Sequence, residues 1–127
     1  MVLFKKSWKS SKSVRNQRKF RFNAPIHIKR KFLSAHLSTD LKKKYNKRSV
    51  VVCKGDKIKV LRGNFKGHEN VVKSVNIKEG KILISGIEVI KKDGTKVPQK
   101  VNPSNMLITS LNLEDKKRKL SLERKNE

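Results

Sequence analysis

The sequence predicts a mainly β domain, a small and strongly bent antiparallel barrel preceded by a basic segment and two short helices. Three observations indicate this class: short apolar runs between positions 49 and 110, glycine turns between them, and no helix long enough for a parallel crossover. We expect a basic arm over 1–22, two short helices in 23–48, the barrel over 49–110, and a charged tail with a short helix over 111–127.

Lysine and arginine dominate the composition. The 127-residue chain carries 34 of them against 10 acidic residues, a formal net charge of +24. The first 50 residues hold 16 basic residues and a single acid, which places +15 of that charge there. Because such a chain repels itself, we expect a polyanionic partner, and nucleic acid is the densest one. An acidic membrane surface is disfavoured, since no long apolar run or broad amphipathic face is found.

The arm over 1–22 interleaves basic side chains with aromatic ones. Phe4, Trp8, Phe20 and Phe22 follow neither a strand nor a helix period, so we expect an extended or irregular segment. Lysine and arginine for phosphates and aromatic rings for unpaired bases are typical of RNA-binding tails. A solvated basic tail and a signal for a transport receptor remain open alternatives.

Two short helices are expected next. The first covers 23–33, with Asn23 as its N-cap and Pro25 in its first turn. The second begins at Ser38 and ends at Asn46, with an acidic residue in its first turn and lysines toward its end, as the helix dipole favours. Both helices therefore lead into the barrel.

Residues 56–76 are the predicted centre of the barrel. Ile58 and Val60 alternate with lysines, a basic loop follows, and a second valine-rich run takes over, which predicts strand, loop and strand. Gly63 and Gly67 allow positive φ and a close approach of the backbone to a partner. The loop thus presents several donors to phosphates and base edges.

The other strands are short apolar runs bounded by turn residues, and they cover 49–53, 82–89, 95–101 and 106–109. Gly86 predicts a bulge or bend inside one strand, and Pro98 predicts an edge position for another. Asp93 and Gly94 form the strongest two-residue hairpin signal of the chain.

Catalysis has little support in the sequence. The three histidines have no acid or thiol at triad or metal-ligand spacing, and the glycine-bounded loop lacks the ending of a Walker motif. The single cysteine, Cys53, excludes an internal disulfide and is expected to be a half-buried strand residue. We therefore expect no enzyme, no metal and no cofactor.

The central stretch resembles a KOW motif, the strand-loop-strand unit of ribosomal proteins and transcription elongation factors. The matching residues are Gly55-Asp56, Gly63, Lys66-Gly67 and the valines that follow them. The resemblance implies an RNA-associated SH3-like barrel. On these residues alone, a KOW-type RNA-binding factor of transcription or RNA processing is the alternative to a ribosomal protein.

The flanks resemble one particular family. Residues 20–48 and 101–109, which include the run Val-Asn-Pro-Ser-Asn-Met-Leu-Ile-Thr, are similar to a large-subunit ribosomal protein family in its eukaryotic and archaeal branch. That family is numbered twenty-four in the universal scheme and twenty-six in the eukaryotic one. Asn102 departs from its pattern, because members usually carry a histidine there. This chain has a single KOW motif and a strongly basic arm. Transcription factors of the KOW type differ from it, because their KOW modules usually repeat within long, often acidic chains.

The resemblance implies a structural constituent of the large ribosomal subunit. Such a protein binds the 5′ region of the large-subunit rRNA early in assembly, near the outer surface of the peptide exit tunnel. Its partners are rRNA and neighbouring large-subunit proteins, with no membrane, no small-molecule substrate and no homo-oligomer. It works in the cytoplasm, with assembly in the nucleolus if the source is eukaryotic.

The expected rRNA-binding residues are basic or hydrogen-bonding, and they come from the arm, both helices, the loop and the turn at 102–105. They are Lys12, Arg15, Arg18, Lys19, Arg21, Asn23, His27, Arg30, Lys31, Lys43, Lys47, Arg48, Arg62, Asn64, Lys66, Gly67, His68 and Ser104.

Overall fold

The computed structural model describes Phe4 and residues 10–124, and within this part it contains four α-helices, one short 3-10 turn (η1) and seven strands. The remainder of the predicted arm and the last three residues lie outside the described residues. The elements are α1 Val14–Asn23, α2 Ile26–Phe32, β1 Ser34–Leu37, α3 Thr39–Tyr45, β2 Ser49–Val51, β3 Lys57–Val60, β4 Glu69–Asn76, β5 Lys81–Ile90, β6 Lys96–Val101, η1 Pro103–Asn105, β7 Met106–Ser110 and α4 Lys116–Glu123.

The strands form one sheet in the order β2-β1-β7-β3-β4-β5-β6. Every pair is antiparallel except β1 with β7, which run parallel. The mainly β class and an SH3-like arrangement are confirmed. The barrel is not closed by backbone pairing, however, because within the described residues β2 and β6 stand at opposite ends of the strand order.

The core is formed by apolar side chains that period-two alternation places on the buried side of the strands. On β3, Ile58 and Val60 are buried as predicted, while Lys57 is exposed and Lys59 is half-buried. Ile82 on β5 and Met106 and Ile108 on β7 are fully buried. Burial of such side chains from water is the main stabilising contribution of the sheet.

The predicted turns and bends are largely found. Asn46 ends α3 in the left-handed conformation with φ 50°. The register of β5 against β6 shifts between Leu83 and Glu88, where Gly86 has φ 74°, so the bend occurs inside one long strand. Pro98 lies on β6, an end strand of the sheet, where a missing N–H is tolerated.

The prediction of an irregular arm is wrong for residues 14–22, which belong to α1. No glycine or proline interrupts this segment, and its arginine, lysine and glutamine residues favour a helix. Its aromatic residues make tertiary contacts instead of following one face: the Phe20 ring lies 6.2 Å from that of Phe32 on α2 and 4.9 Å from that of Phe4, between centroids.

The first of the two predicted helices begins later than expected. Asn23 is the last residue of α1, and Pro25 is the N-cap of α2. The residue before a proline is pushed to extended backbone, and Ala24 accordingly has ψ 137°. One helix over 23–33 is therefore replaced by the end of α1, a sharp break and α2.

Strand β1 was not predicted, because its four residues lie between two helical segments. Ser34–Leu37 alternate between half-buried and buried positions and pair with both β2 and β7. The predicted strand over 49–53 ends at Val51, which leaves the half-buried Cys53 just beyond it. The described residues consequently contain seven strands, one more than the six runs described from the sequence.

The C-terminal helix α4 contacts the body of the protein. Leu122 is 4% exposed, and Arg118 reaches into the body of the protein. In the described part of the chain, no helix is long and apolar enough to cross a membrane.

Candidate nucleic-acid interface

The KOW loop, residues 61–68 between β3 and β4, is fixed at its base by backbone hydrogen bonds. The Val60 N–H donates to the His68 carbonyl at 2.9 Å, and the Gly67 N–H donates to the Val60 carbonyl at 2.8 Å. Phe65 is half-buried against the core and meets the His68 ring edge-on at 5.9 Å. The loop therefore has a fixed base, from which Arg62 and Lys66 extend into solvent.

Glycine is required at two positions of this loop. Gly63 has φ 97° and Gly67 has φ 89°, a region that side chains rarely adopt. A Cβ built at either position meets no atom within 4 Å. The backbone here is open to an incoming partner and is not packed against other parts of the protein.

A cleft of about 570 Å³ lies beside the KOW loop, and we call it the loop-side cleft. The loop contributes Arg62, Asn64 and Phe65 to it, β5 and β6 form the opposite wall, and Asn102 closes one end. The Leu61 N–H donates to the Asn105 carbonyl at 2.8 Å, which ties the loop to η1.

A second cleft, of about 530 Å³, lies between the two N-terminal helices, the β4–β5 turn and η1, and we call it the helix-side cleft. It is lined by Arg21, Lys29 and Phe32 on one side and by Lys81 and Ser104 on the other. Asn102 lines both clefts. The two clefts therefore adjoin at Asn102, the residue that precedes η1.

The structure brings only some of the predicted site residues together. Arg62 and Asn64 reach the loop-side cleft, while Arg21 and Ser104 reach the helix-side cleft. The others line neither cleft and lie on α1, α2, α3, the connection from α3 to β2, the segment before α1, or the tip of the KOW loop; they are Lys12, Arg15, Arg18, Lys19, Asn23, His27, Arg30, Lys31, Lys43, Lys47, Arg48, Lys66, Gly67 and His68.

Most predicted site residues are exposed, and Asn23 and Lys47 are half-buried. The Lys47 ammonium donates to the Ser121 carbonyl of α4, so it has an intramolecular partner. No other lysine or arginine of the predicted set forms a side-chain hydrogen bond or ion pair within the described residues. Their charge is thus left for an external partner.

Three lysines and one aromatic residue of the helix-side cleft were missed by the sequence reasoning. They are Lys29, Lys78, Lys81 and Phe32. The sequence shows a basic pattern around Lys29 but gives no signal that a turn about 50 residues later adds two further cations beside it. A prediction of the helix packing is required to find them.

A buried carboxylate fixes the strand that leads into the loop. Asp56 is fully buried, and its oxygens accept hydrogen bonds from the Cys53 N–H at 2.9 Å and the Asn112 N–H at 2.8 Å. The Arg118 guanidinium donates to both oxygens, at 2.6 and 2.7 Å. Burial alone would lower the pKa of Arg118, but its hydrogen bonds to Asp56 and the charge of that carboxylate raise it above the ordinary value.

Within the described residues, no group of three or more histidine, cysteine, aspartate or glutamate side chains is placed to hold a metal ion. Three ion pairs are found there, Lys59 with Glu69, Lys100 with Glu79, and Arg118 with Asp56. The first two lie at the surface, where such pairs contribute little to stability.

Comparison with known proteins identifies the family. A family model that describes the eukaryotic ribosomal proteins L26 and their archaeal counterparts, numbered L24, matches residues 11–125. The large ribosomal subunit protein uL24 of Methanoculleus marisnigri is 54% identical over 108 residues, 85% of this chain and 89% of the relative. That of Methanosarcina barkeri is 46% identical over 114 residues, 90% and 98% of the two chains. The match extends across α1, the KOW loop and η1, and the chain belongs to the family of the eukaryotic ribosomal proteins L26 and their archaeal counterparts.

Proposed function

We propose that the chain is a structural constituent of the large ribosomal subunit and binds large-subunit rRNA. The observation that carries this proposal is the surface formed by the two clefts, which adjoin at Asn102. Arg62 lines the loop-side cleft and Arg21 lines the helix-side cleft. Few acidic side chains are available to neutralise the lysines and arginines around it, since the chain has 34 basic and 10 acidic residues.

Phosphate contacts explain why the surface needs so many cations. Each lysine or arginine that neutralises a phosphate releases condensed counterions, which supplies most of the sequence-independent affinity for nucleic acid. The exposed backbone at Gly63 and Gly67 offers a second kind of contact, because no side chain there keeps RNA away. The KOW loop and the helices α1 and α2 are the elements we assign to rRNA.

The family resemblance supports the finer parts of the proposal. We place the contact in the 5′ region of the large-subunit rRNA, near the outer surface of the peptide exit tunnel, and assign the protein a role early in subunit assembly. Neighbouring large-subunit proteins are the other partners. The relatives in Methanoculleus and Methanosarcina are named as large ribosomal subunit proteins, which supports a place on cytoplasmic ribosomes. Assembly in the nucleolus applies only to a eukaryotic source.

Sedimentation tests this function directly. An epitope-tagged full-length chain, expressed in its source cells, is expected to sediment with large subunits and with whole ribosomes in a sucrose gradient. It should be released together with other ribosomal proteins only at high salt, because the contact is ionic. A chain found free of subunits and bound to RNA polymerase or nascent transcripts would establish the alternative, a KOW-type transcription or RNA-processing factor.

A further inference from the structure

The helix-side cleft has the size and the chemistry of a small ligand site. Its volume of about 530 Å³ lies within the range of pockets that hold one small organic molecule. The cleft is bordered by α1 and α2 on one side and by the β4–β5 turn and η1 on the other. Because these elements come from distant parts of the chain, the cleft exists only in the folded protein.

An aromatic ring stands at the border of this cleft. Phe32, the last residue of α2, is 41% exposed although it is large and apolar. The Arg21 guanidinium lies 6.0 Å from the centre of its ring, and both residues line the cleft. Unpaired RNA bases stack on aromatic rings and on guanidinium planes, and here the guanidinium lies over the ring.

Cations line the same cleft as the ring. Lys29 comes from α2, while Lys78 and Lys81 come from the β4–β5 turn and the start of β5. The one acidic side chain of the lining, Glu79, is already paired with Lys100 at 2.6 Å, so it adds little opposing charge. The cleft is therefore strongly electropositive and suits a phosphate.

Hydrogen-bonding groups complete the far wall. Lys81 donates to the Asn102 side-chain oxygen, which fixes the amide at the edge of the cleft. The Ser104 hydroxyl also lines the cleft and forms no side-chain hydrogen bond within the described residues. Amide and hydroxyl groups of this kind pair with base edges and with the ribose 2′-OH.

We propose that the helix-side cleft binds a single unpaired nucleotide of RNA, with the base stacked on Phe32 beside Arg21 and the phosphate held by Lys78 and Lys81. This proposal rests on the proposed function, because the nucleotide belongs to the rRNA that the protein binds. An acidic peptide segment would satisfy the cations but would leave the ring and the guanidinium plane without a planar partner. An RNA nucleotide uses the cations through its phosphate, the ring through its base, and the amide and hydroxyl groups through its base edge and ribose.

The test compares two aromatic residues that differ in position. Phe32→Leu changes the ring in the cleft, whereas Tyr45→Leu changes a ring at the end of α3 that does not line the cleft. Full-length wild-type protein and both variants are bound to large-subunit rRNA. Affinity is measured by filter binding, and base reactivity in the complex is measured by chemical probing. Leucine keeps an apolar side chain, and circular dichroism verifies that both variants are folded.

We expect Phe32→Leu to lower the affinity by about fivefold or more, since one base-aromatic stack contributes at least that much. An unpaired nucleotide that wild type and Tyr45→Leu protect from modification should become reactive with Phe32→Leu. Equal affinity and equal protection for the two variants would refute the nucleotide site while leaving rRNA binding intact. If wild type itself failed to bind rRNA, the proposed function would be refuted instead.

A comparison of two lysine variants gives an independent readout. Lys78→Gln in the cleft and Lys92→Gln in the exposed β5–β6 turn each remove one positive charge. Only Lys78→Gln should expose the same nucleotide that Phe32→Leu exposes. If Lys78→Gln weakened the binding of poly-glutamate but left rRNA binding and protection unchanged, the cleft would be a site for an acidic peptide and the nucleotide proposal would be wrong.

Discussion

The pair of Asp56 and Arg118 provides the sharpest prediction about stability. Arg118 supplies two of the four hydrogen bonds to the fully buried carboxylate and also donates to the Asn112 carbonyl at 2.7 Å and the Val51 carbonyl at 3.2 Å. Arg118→Met keeps an unbranched apolar stem of similar length but removes all of these donors. The Asp56 carboxylate would then remain buried with only the Cys53 and Asn112 N–H groups.

The expected cost follows from the burial of that charge. Removing one partner of a buried ion pair typically destabilises a protein by about 3–5 kcal/mol, because the other charge is left uncompensated. Small domains have total stabilities of about 5–15 kcal/mol, so the loss is a large fraction. With a urea m-value of about 2 kcal/mol per M, the unfolding midpoint should fall by about 2 M.

Urea unfolding followed by circular dichroism measures this loss, and Lys119→Met is the matched control. Lys119 lies on the same helix and is exposed, and its substitution removes the same charge without touching Asp56. We expect the stability of this control to stay within about 0.5 kcal/mol of wild type. If Arg118→Met and Lys119→Met unfolded at the same urea concentration, the reasoning about a buried pair would be refuted.

The pH dependence of the pair follows from the raised pKa of Arg118. A cation whose pKa is raised by folding contributes stability that is fully present below its unfolded pKa and is lost as pH rises through the folded pKa. The ordinary pKa of a guanidinium already lies far above neutral pH; burial would lower the pKa of Arg118, but Asp56 raises it further. The difference in unfolding free energy between wild type and Arg118→Met should thus be constant between about pH 7 and pH 10. A fall over that interval would show that Arg118 is not the group that holds the carboxylate.

Three further predictions concern the surface. Arg62→Ala and Lys66→Ala should each weaken rRNA binding, because each removes about one phosphate contact. Each should also reduce the slope of log affinity against log salt concentration by about 0.7–0.9. If this slope equalled that of wild type and of a Lys92→Ala control, the KOW loop would face solvent. Gly67→Ala should cost about 1–2 kcal/mol in urea unfolding, all of it from the backbone since the added Cβ meets no atom within 4 Å; no loss would contradict the left-handed conformation. Deleting residues 1–22 should leave the sheet folded, because none of the α1 residues is buried, but should lower incorporation into subunits; full incorporation would reduce this segment to a transport signal.

Local patterns were sufficient for several elements. Ser38 and Asn46 flank α3 as predicted. The Ser38 side chain makes no capping hydrogen bond, and the left-handed conformation of Asn46 is a local property of a helix end. The alternation of Ile58 and Val60 defines β3 for the same kind of reason, because the side-chain period of a strand is local. These signals need no knowledge of the rest of the chain.

Other elements depend on contacts that no local pattern records. The aromatic residues of α1 have no helical period because Phe20 packs against Phe32 of another helix. Strand β1 is too short to be recognised and exists because β2 and β7 pair with it on both sides. Tertiary contacts routinely override weak intrinsic preferences of this kind.

The sequence by itself determined the mainly β class, the excess of positive charge, the KOW loop with its two required glycines, and the family. Each of these depends on composition or on residues close together in the chain. The tertiary structure alone decided that Asp56 is neutralised by Arg118, 62 positions later, and that Phe32 shares a cleft with Lys78 and Lys81. The physical reason is that burial and cleft formation depend on how distant segments pack, and segment packing has no period that can be read along the chain.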